Sequence, residues 1–307
     1  MKIIVTGGAG FIASHVVDAY VRAGHTVAVI DNLRNGFRKN LNPKAKFYKT
    51  DIEDLAAVEK IFKKERPEVV NHHAAIAEVV RSVRDPIPTL QTNVLGTANL
   101  LLAFGKFGRG AHKKFIFSST GGAMYGRPKK VLSNEATPPA PLSPYGLSKL
   151  LAEETIRFYA RMYDFPYFIF RYANVYGPRQ NSKGEAGVVA IFIGLMQNGA
   201  QPTIFGDGSK TRDYVYVKDV ARANALALKK GRNVTINIGL GREVSDRTVY
   251  NAIAKAMKSP KKPRYAPFRK GEVLRIAIDA RQARKVLGWK PTTTFEQGVR
   301  ETVESFS

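Results

Sequence analysis

Cysteine is absent from this chain of 307 residues, and its absence excludes disulfides, thiolate metal sites and thiol nucleophiles. No apolar run approaches the roughly 18 residues that a membrane span requires. The first apolar segment starts at Lys2, which leaves no space for a signal peptide, so the cytoplasm is the expected compartment. Acidic side chains are scarce: 25 against 49 basic ones give a net charge of +24. Such an excess suits a nucleic acid, an anionic substrate or a basic cellular background. The basic residues are scattered in pairs, as at Lys63-Lys64, Lys113-Lys114 and Lys229-Lys230, with no basic tail. A nucleic-acid partner is therefore not expected. The five histidines lack metal-ligand spacing, and no metal is expected either.

What the chain does have is a strand that runs straight into a glycine turn, Lys2-Ile-Ile-Val-Thr-Gly7-Gly8-Ala9-Gly10-Phe11-Ile12-Ala13. Gly7 and Gly10 permit a tight turn and a close approach of backbone to a pyrophosphate. Ala13 supplies the small residue where helix meets strand. The helix that follows offers free N–H groups and the positive end of its dipole to phosphates. A second strand ends at Asp31, 21 positions beyond Gly10, where a carboxylate binds a ribose. A carboxylate there accepts from both ribose hydroxyls of NAD and repels the extra phosphate of NADP. Arg34, Arg38 and Lys39 follow closely and read as a solvated loop, so NAD is the expected cofactor.

Apolar, β-branched segments at Lys2–Thr6, Thr26–Ile30, Lys46–Thr50, Val69–His72, Lys114–Ser118 and Tyr167–Arg171 alternate with helical patterns at Phe11–Ala23, Leu55–Glu65, Pro88–Phe104 and Ser143–Tyr163. This alternation predicts an α/β fold, a doubly wound parallel Rossmann sheet with ligands beyond the carboxyl ends of its strands. Residues 1–172 are assigned to an NAD-binding domain, to which part of 210–240 returns. Residues 173–307 are too interrupted for a long parallel sheet and read as a smaller α/β domain completing a cleft.

Tyr145-Gly-Leu-Ser-Lys149 places a phenol and an ammonium on one helix face. A lysine charge near a phenol favours phenolate, so Lys149 is expected to lower Tyr145 from its usual value of about 10 and make it a proton acceptor near neutral pH. The preceding strand ends in Ser118-Ser119-Thr120, which puts a hydroxyl on the same sheet edge.

These features together resemble the extended short-chain dehydrogenase/reductase superfamily. Arg171-Tyr-Ala-Asn-Val-Tyr-Gly-Pro-Arg179, the Phe205–Asp219 segment and Gly271-Glu-Val further resemble its nucleotide-sugar branch, closest to UDP-glucose 4-epimerases, over about residues 2 to 300. The resemblance implies that Asn32, Asp51 and Ile52 lie at the adenosine end of NAD, and His73, Ala74, Ala75 and Asn93 near the pyrophosphate. Ser118 and Tyr172 would adjoin the nicotinamide, Tyr145 would be the base, Lys149 would bind the nicotinamide ribose, and Thr120 would stand for the family's catalytic serine. Asn174, Val189, Arg212 and Arg269 would contact the nucleotide diphosphate, and Glu272 a ribose. Thr203 and Phe205 would lie along the uracil segment, and Ile276 would bound the sugar pocket. A homodimer through the Pro88–Phe104 and Ser143–Tyr163 helices is also implied.

Sister activities in that branch differ after the strand-end hydroxyl. Dehydratases resemble Thr-Asp-Glu and decarboxylases Thr/Ser-x-Glu, whereas this chain has Thr120-Gly121-Gly122. Without a carboxylate there, 4-epimerisation of UDP-galactose and UDP-glucose is the economical expectation. Other nucleotide-sugar chemistry in the branch, N-acetylated or uronic-acid substrates, and a basic nucleic-acid binder on a retained fold stand as alternatives.

Overall fold

A computed structural model describes residues 1–110, 112–128, 130–183, 187–269 and 273–306. The Rossmann pattern is realised as a seven-stranded, wholly parallel sheet. Strands β1 (Lys2–Thr6), β2 (Thr26–Asp31), β3 (Lys46–Lys49), β4 (Val69–His72) and β5 (Lys114–Thr120) come first in the chain. The order across the sheet is Val234–Ile238, Tyr167–Tyr172, β5, β4, β1, β2, β3. The direction of winding reverses between β1 and β4, which opens a crevice beyond their carboxyl ends.

Both faces of this sheet are covered, which is why its strands are almost continuously apolar. On one face Val5, Val17, Val29, Ile116, Phe168 and Ile236 share a core. On the other, Ile4, Phe62, Val70, Phe104, Phe115 and Ile169 form a second. The strand Val234–Ile238 and helix Val217–Ala227 belong to the sheet and its first face, so the chain does return between residues 210 and 240. It returns a second time, because Ile278, Ala283, Leu287 and Trp289 enter the same core. A third core, with Tyr176, Phe192, Tyr214, Val249 and Phe295, lies among the helices and short strand pairs of the C-terminal half.

The expected helix Pro88–Phe104 is interrupted. After helices α1 (Phe11–Arg22), α2 (Leu55–Glu65) and α3 (Val79–Arg84), the segments Pro86–Leu90 (α4) and Gly96–Phe107 (α5) are α-helical, but Gln91–Leu95 between them is a π-turn that buries Thr92 and Asn93. Such one-turn expansions of a helix recur at functional sites. The terminal helix Phe295–Ser305 carries a full capping box between Thr294 and Gln297, a signal present in Thr294-Phe-Glu-Gln297 and overlooked by periodicity. Among the described residues no helix is long and apolar enough to cross a membrane.

Candidate active site

The glycine turn packs its first residue against a backbone. Gly7 has φ +71°, and a Cβ there would lie 2.8 Å from the backbone nitrogen of Ala74. Thr6 ties the two strand ends together: its Oγ1 accepts from His73 N at 3.2 Å and Ala74 N at 3.1 Å. Helix α1 (Phe11–Arg22) begins at Gly10 with no side-chain cap, so its first-turn N–H groups are left facing the crevice mouth. Asp31 is buried and braces the same turn, accepting from Ala9 N at 3.0 Å and Leu33 N at 2.8 Å. Burial pushes its carboxyl up, and these two N–H bonds pull it back. Each oxygen retains a lone pair for a ribose hydroxyl.

Asn32 donates to Asp51 Oδ2 at 2.7 Å, and Ile52 is buried beside them. Of the neighbouring cations, Arg38 lies over Phe47 and Lys39 over Phe37, at 5.5 and 5.8 Å from the ring centres. A closely packed glycine turn, an uncapped helix start and a braced carboxylate suit a dinucleotide. These residues fit NAD.

The two histidines at the end of β4 differ. His72 is satisfied on both nitrogens by Thr6 Oγ1 (2.7 Å) and Thr97 Oγ1 (2.9 Å), and burial holds it neutral. His73 stacks on Tyr172 with 6.1 Å between ring centres, while its buried Nδ1 has no hydrogen-bond partner among the described residues. Ala75 follows in the same loop, which Asn93 then secures. Asn93 Oδ1 accepts from Ile76 N at 2.8 Å, and its Nδ2 donates to Ile76 O and to Ser148 Oγ.

Ser148 and Ser82 are working parts that motif matching missed. Ser148 Oγ donates to Tyr145 O at 2.7 Å, and Ser82 Oγ accepts from Tyr145 N at 3.1 Å, so the start of helix α6 (Pro144–Met162) is held from two sides. Ser143 caps the same helix by accepting from Gly146 N at 3.1 Å. Ser148 was visible as the fourth letter of the tyrosine–lysine motif. Ser82 carries no sequence signal.

Lys149 lies one turn on from Tyr145 and is almost fully buried. Its Nζ donates to the Ser118 carbonyl at 2.8 Å and sits 4.7 Å from the Phe117 ring centre. Burial lowers it to about 7. Tyr145 is half-buried at the cleft, and burial pushes its phenol up to about 12, opposed by a hydrogen bond with the Thr120 side chain. This corrects one expectation. Desolvation dominates at the phenol, and the Thr120 side chain is the group that lowers it.

Beyond Thr120 the chain is crowded. Gly121 N donates to Tyr172 O at 2.7 Å, and a Cβ on Gly121 would lie 2.7 Å from Ile278 Cδ1. A Cβ on Gly122 would approach Asn174 Oδ1 to 3.1 Å, so Asn174 stands beside the strand-end hydroxyl. Tyr172 OH accepts from Asn224 Nδ2 at 2.8 Å.

The expected substrate contacts come from the C-terminal half. Arg212 Nη1 donates to Thr211 O at 2.7 Å, and its half-buried side chain follows the short strand Thr211–Arg212. Arg269 lies 3.8 Å over the ring of Phe205, which ends the strand Thr203–Phe205. The side chain of Val189 belongs to the third core, while its N–H lies in the first turn of helix Val188–Gln197 and lacks an intrahelical acceptor. Ile276 is buried. Glu272 lies outside the described residues.

The sheet reversal, glycine turn and tyrosine–lysine helix define an NAD-binding oxidoreductase-type site. The sequence matches the NAD dependent epimerase/dehydratase family over residues 3–239, and the chain belongs to that family. It is 46% identical to a putative UDP-glucose 4-epimerase of Methanocaldococcus jannaschii, covering 98% of this chain and 97% of that protein. The UDP-glucose 4-epimerase of Thermotoga maritima, solved with UDP-glucose, superposes with a TM-score of 0.96 at 49% identity, covering 100% of this chain and 98% of the other. That of Thermus thermophilus, solved with NAD, gives 0.93 at 41% identity over 100% and 99% of the two chains. The protein is thus an NAD-dependent enzyme of the epimerase kind.

Gly7→Ala tests the cofactor end. A left-handed alanine costs roughly 1–2 kcal/mol, and the contact with the Ala74 backbone adds to it. Thermal melts should show a lower Tm, and fluorescence titration should show NAD affinity reduced about tenfold or more. Wild-type affinity in that variant would mean the pyrophosphate lies elsewhere.

Proposed function

We propose that the protein is a cytoplasmic UDP-glucose 4-epimerase that interconverts UDP-galactose and UDP-glucose. The observation that carries this reading within its family is the strand end: a Thr120 hydroxyl bonded to Tyr145, followed by two glycines that carry no carboxylate. Eliminating water from an oxidised sugar needs a further acid and base. Gly121 and Gly122 supply neither. A site with one phenol and one hydroxyl can remove a proton and return it, and that suffices for inversion at C4.

In this mechanism Tyr145 takes the proton of the sugar 4-hydroxyl while Thr120 hydrogen-bonds the same oxygen. The C4–H bond breaks as hydride leaves, giving a 4-keto sugar. Bound NAD supplies the hydride acceptor and then the donor, and its positive nicotinamide favours the phenolate that burial alone opposes. The keto sugar turns about its diphosphate link and presents its other face. Hydride returns to C4, and Tyr145 returns the proton to the oxygen. Lys149 holds the nicotinamide ribose. Arg212, Arg269, Asn174 and the Val189 N–H hold the nucleotide diphosphate, with Glu272 on its ribose and Thr203 and Phe205 along the base.

Purified protein incubated with UDP-galactose and no added cofactor should form UDP-glucose without net NADH. Tyr145→Phe should keep NAD and lose at least about two orders of magnitude in kcat. Stoichiometric accumulation of NADH, or near-normal turnover in the phenylalanine variant, would sink the mechanism.

Arginine pairs with phosphate through charge-assisted bidentate bonds. Arg212→Ala and Arg269→Ala should each weaken UDP-sugar binding by about one to two orders of magnitude and leave NAD content unchanged. Calorimetric titration with UDP reads this directly. Lost NAD with unchanged UDP binding would assign both arginines to the other ligand.

The homodimer is part of the same proposal. Leu147, Leu151, Phe158 and Met162 form an apolar stripe along α6, with Phe158 54% and Met162 61% exposed, beside exposed Leu95 on the π-turn. Apolar area of this kind on consecutive helical turns suits a symmetric helix-on-helix contact. Sedimentation velocity should give a dimer, and Phe158→Glu should give a monomer; a monomeric wild type would contradict the assignment.

A further inference from the structure

Helix α6 carries a third member of the stripe that holds Tyr145 and Lys149. Glu153 lies one more turn along and is fully buried. A carboxylate is stable out of water only when donors fill its lone pairs. Ser119 Oγ donates to Oε1 at 2.6 Å, Arg171 Nε to Oε1 at 2.9 Å, Arg171 Nη2 to Oε2 at 2.7 Å and Arg157 Nη2 to Oε2 at 3.1 Å.

The placement of these donors matters more than their number. Ser119 stands between Ser118, whose carbonyl accepts the Lys149 ammonium, and Thr120, whose side chain bonds Tyr145. Arg171 is in register with Ser119 across the sheet and directly precedes Tyr172. Arg171 Nη1 also donates to Tyr125 OH at 3.2 Å, and that hydroxyl donates to Asn237 Oδ1 at 2.8 Å. One carboxylate thereby fastens the helix to two adjacent strands, a single residue away from the groups of the site.

Resting on the roles given above to Tyr145 and Lys149, we propose that Glu153 is a positioning residue: it sets α6 against the strand ends and supplies the negative charge the buried Lys149 ammonium needs. The groups facing Lys149 are Tyr145 and Glu153 from its own helix, the Ser118 carbonyl and Phe117 ring from β5, and His72 and His73 from β4, both held neutral by burial. Arg157 and Arg171 donate to the Glu153 carboxylate itself. Glu153 is the acidic member of this set, and it opposes the loss of the lysine proton that burial drives.

Glu153→Gln removes the charge but leaves Arg171 buried without a counterion, so it should be unstable. The double variant Glu153→Met/Arg171→Met replaces the ion pair with apolar groups and is expected to fold with a near-normal Tm. It should keep its NAD and hold KM within about threefold, yet lose about tenfold or more in kcat. Because Lys149 would then surrender its proton earlier as pH rises, the alkaline limb of kcat should move to lower pH by about one pH unit. Arg171→Lys keeps the carboxylate charged, and its alkaline limb should stay at the wild-type position whatever its stability.

Wild-type kcat and pH profile in the double variant would make Glu153 purely structural, and a displaced limb in Arg171→Lys would overturn the electrostatic role. If the Tyr145→Phe variant is inactive while both of these results are obtained, this inference alone fails. If Tyr145→Phe is active, the catalytic assignment beneath it fails instead.

Discussion

The site depends on an ammonium held where water cannot reach it. Lys149 is 3% exposed, and its Nζ donates to the Ser118 carbonyl at 2.8 Å. That bond sets the height of α6 over the end of β5, and so brings Tyr145 to Thr120. Burying a cation is costly unless it is partnered. The surrounding construction answers that cost with a backbone carbonyl, an aromatic face and the Glu153 carboxylate one turn away. The same burial raises the Tyr145 phenol. A phenol buried in this way gives up its proton more readily when a positive charge stands beside it.

A second constraint is close packing of backbone at the places where ligands approach. Gly7 against Ala74, Gly121 against Ile278 and Gly122 against Asn174 leave no room for a methyl group without displacement of a neighbour. At the first position the tightness brings peptide N–H groups to a phosphate. At the other two the strand end is left with no acid or base of its own beyond Thr120. One property, the absence of a side chain, thus serves binding at one end of the cleft and restricts chemistry at the other.

The sheet and the catalytic helix were legible because local rules and tertiary demands coincide there. Strands buried on both faces must be apolar, so Lys2–Thr6, Val69–His72 and Lys114–Thr120 stand out from the charged segments between them. The strand Val234–Ile238 was harder to see, because it lies at the sheet edge with half-buried residues at its start. The π-turn at Gln91–Leu95 leaves no mark on a helical periodicity, yet it turns Asn93 inward toward Ile76 and Ser148.

From its sequence alone the chain determined its fold class and its cofactor, and marked a tyrosine, a lysine and a strand-end hydroxyl as the candidate site. Each of these follows from residue type at short spacing: glycines at a turn, a carboxylate at a strand end, four residues per helical step. Tertiary structure decided the rest. Ser82, Ser119 and Arg171 reach the catalytic helix from segments distant in the chain, and whether Tyr145 is raised or lowered depends on how much water the fold removes around it. Spacing along one helix specifies which groups are neighbours. Only packing fixes the dielectric between them, and at Tyr145 it is desolvation that raises the phenol.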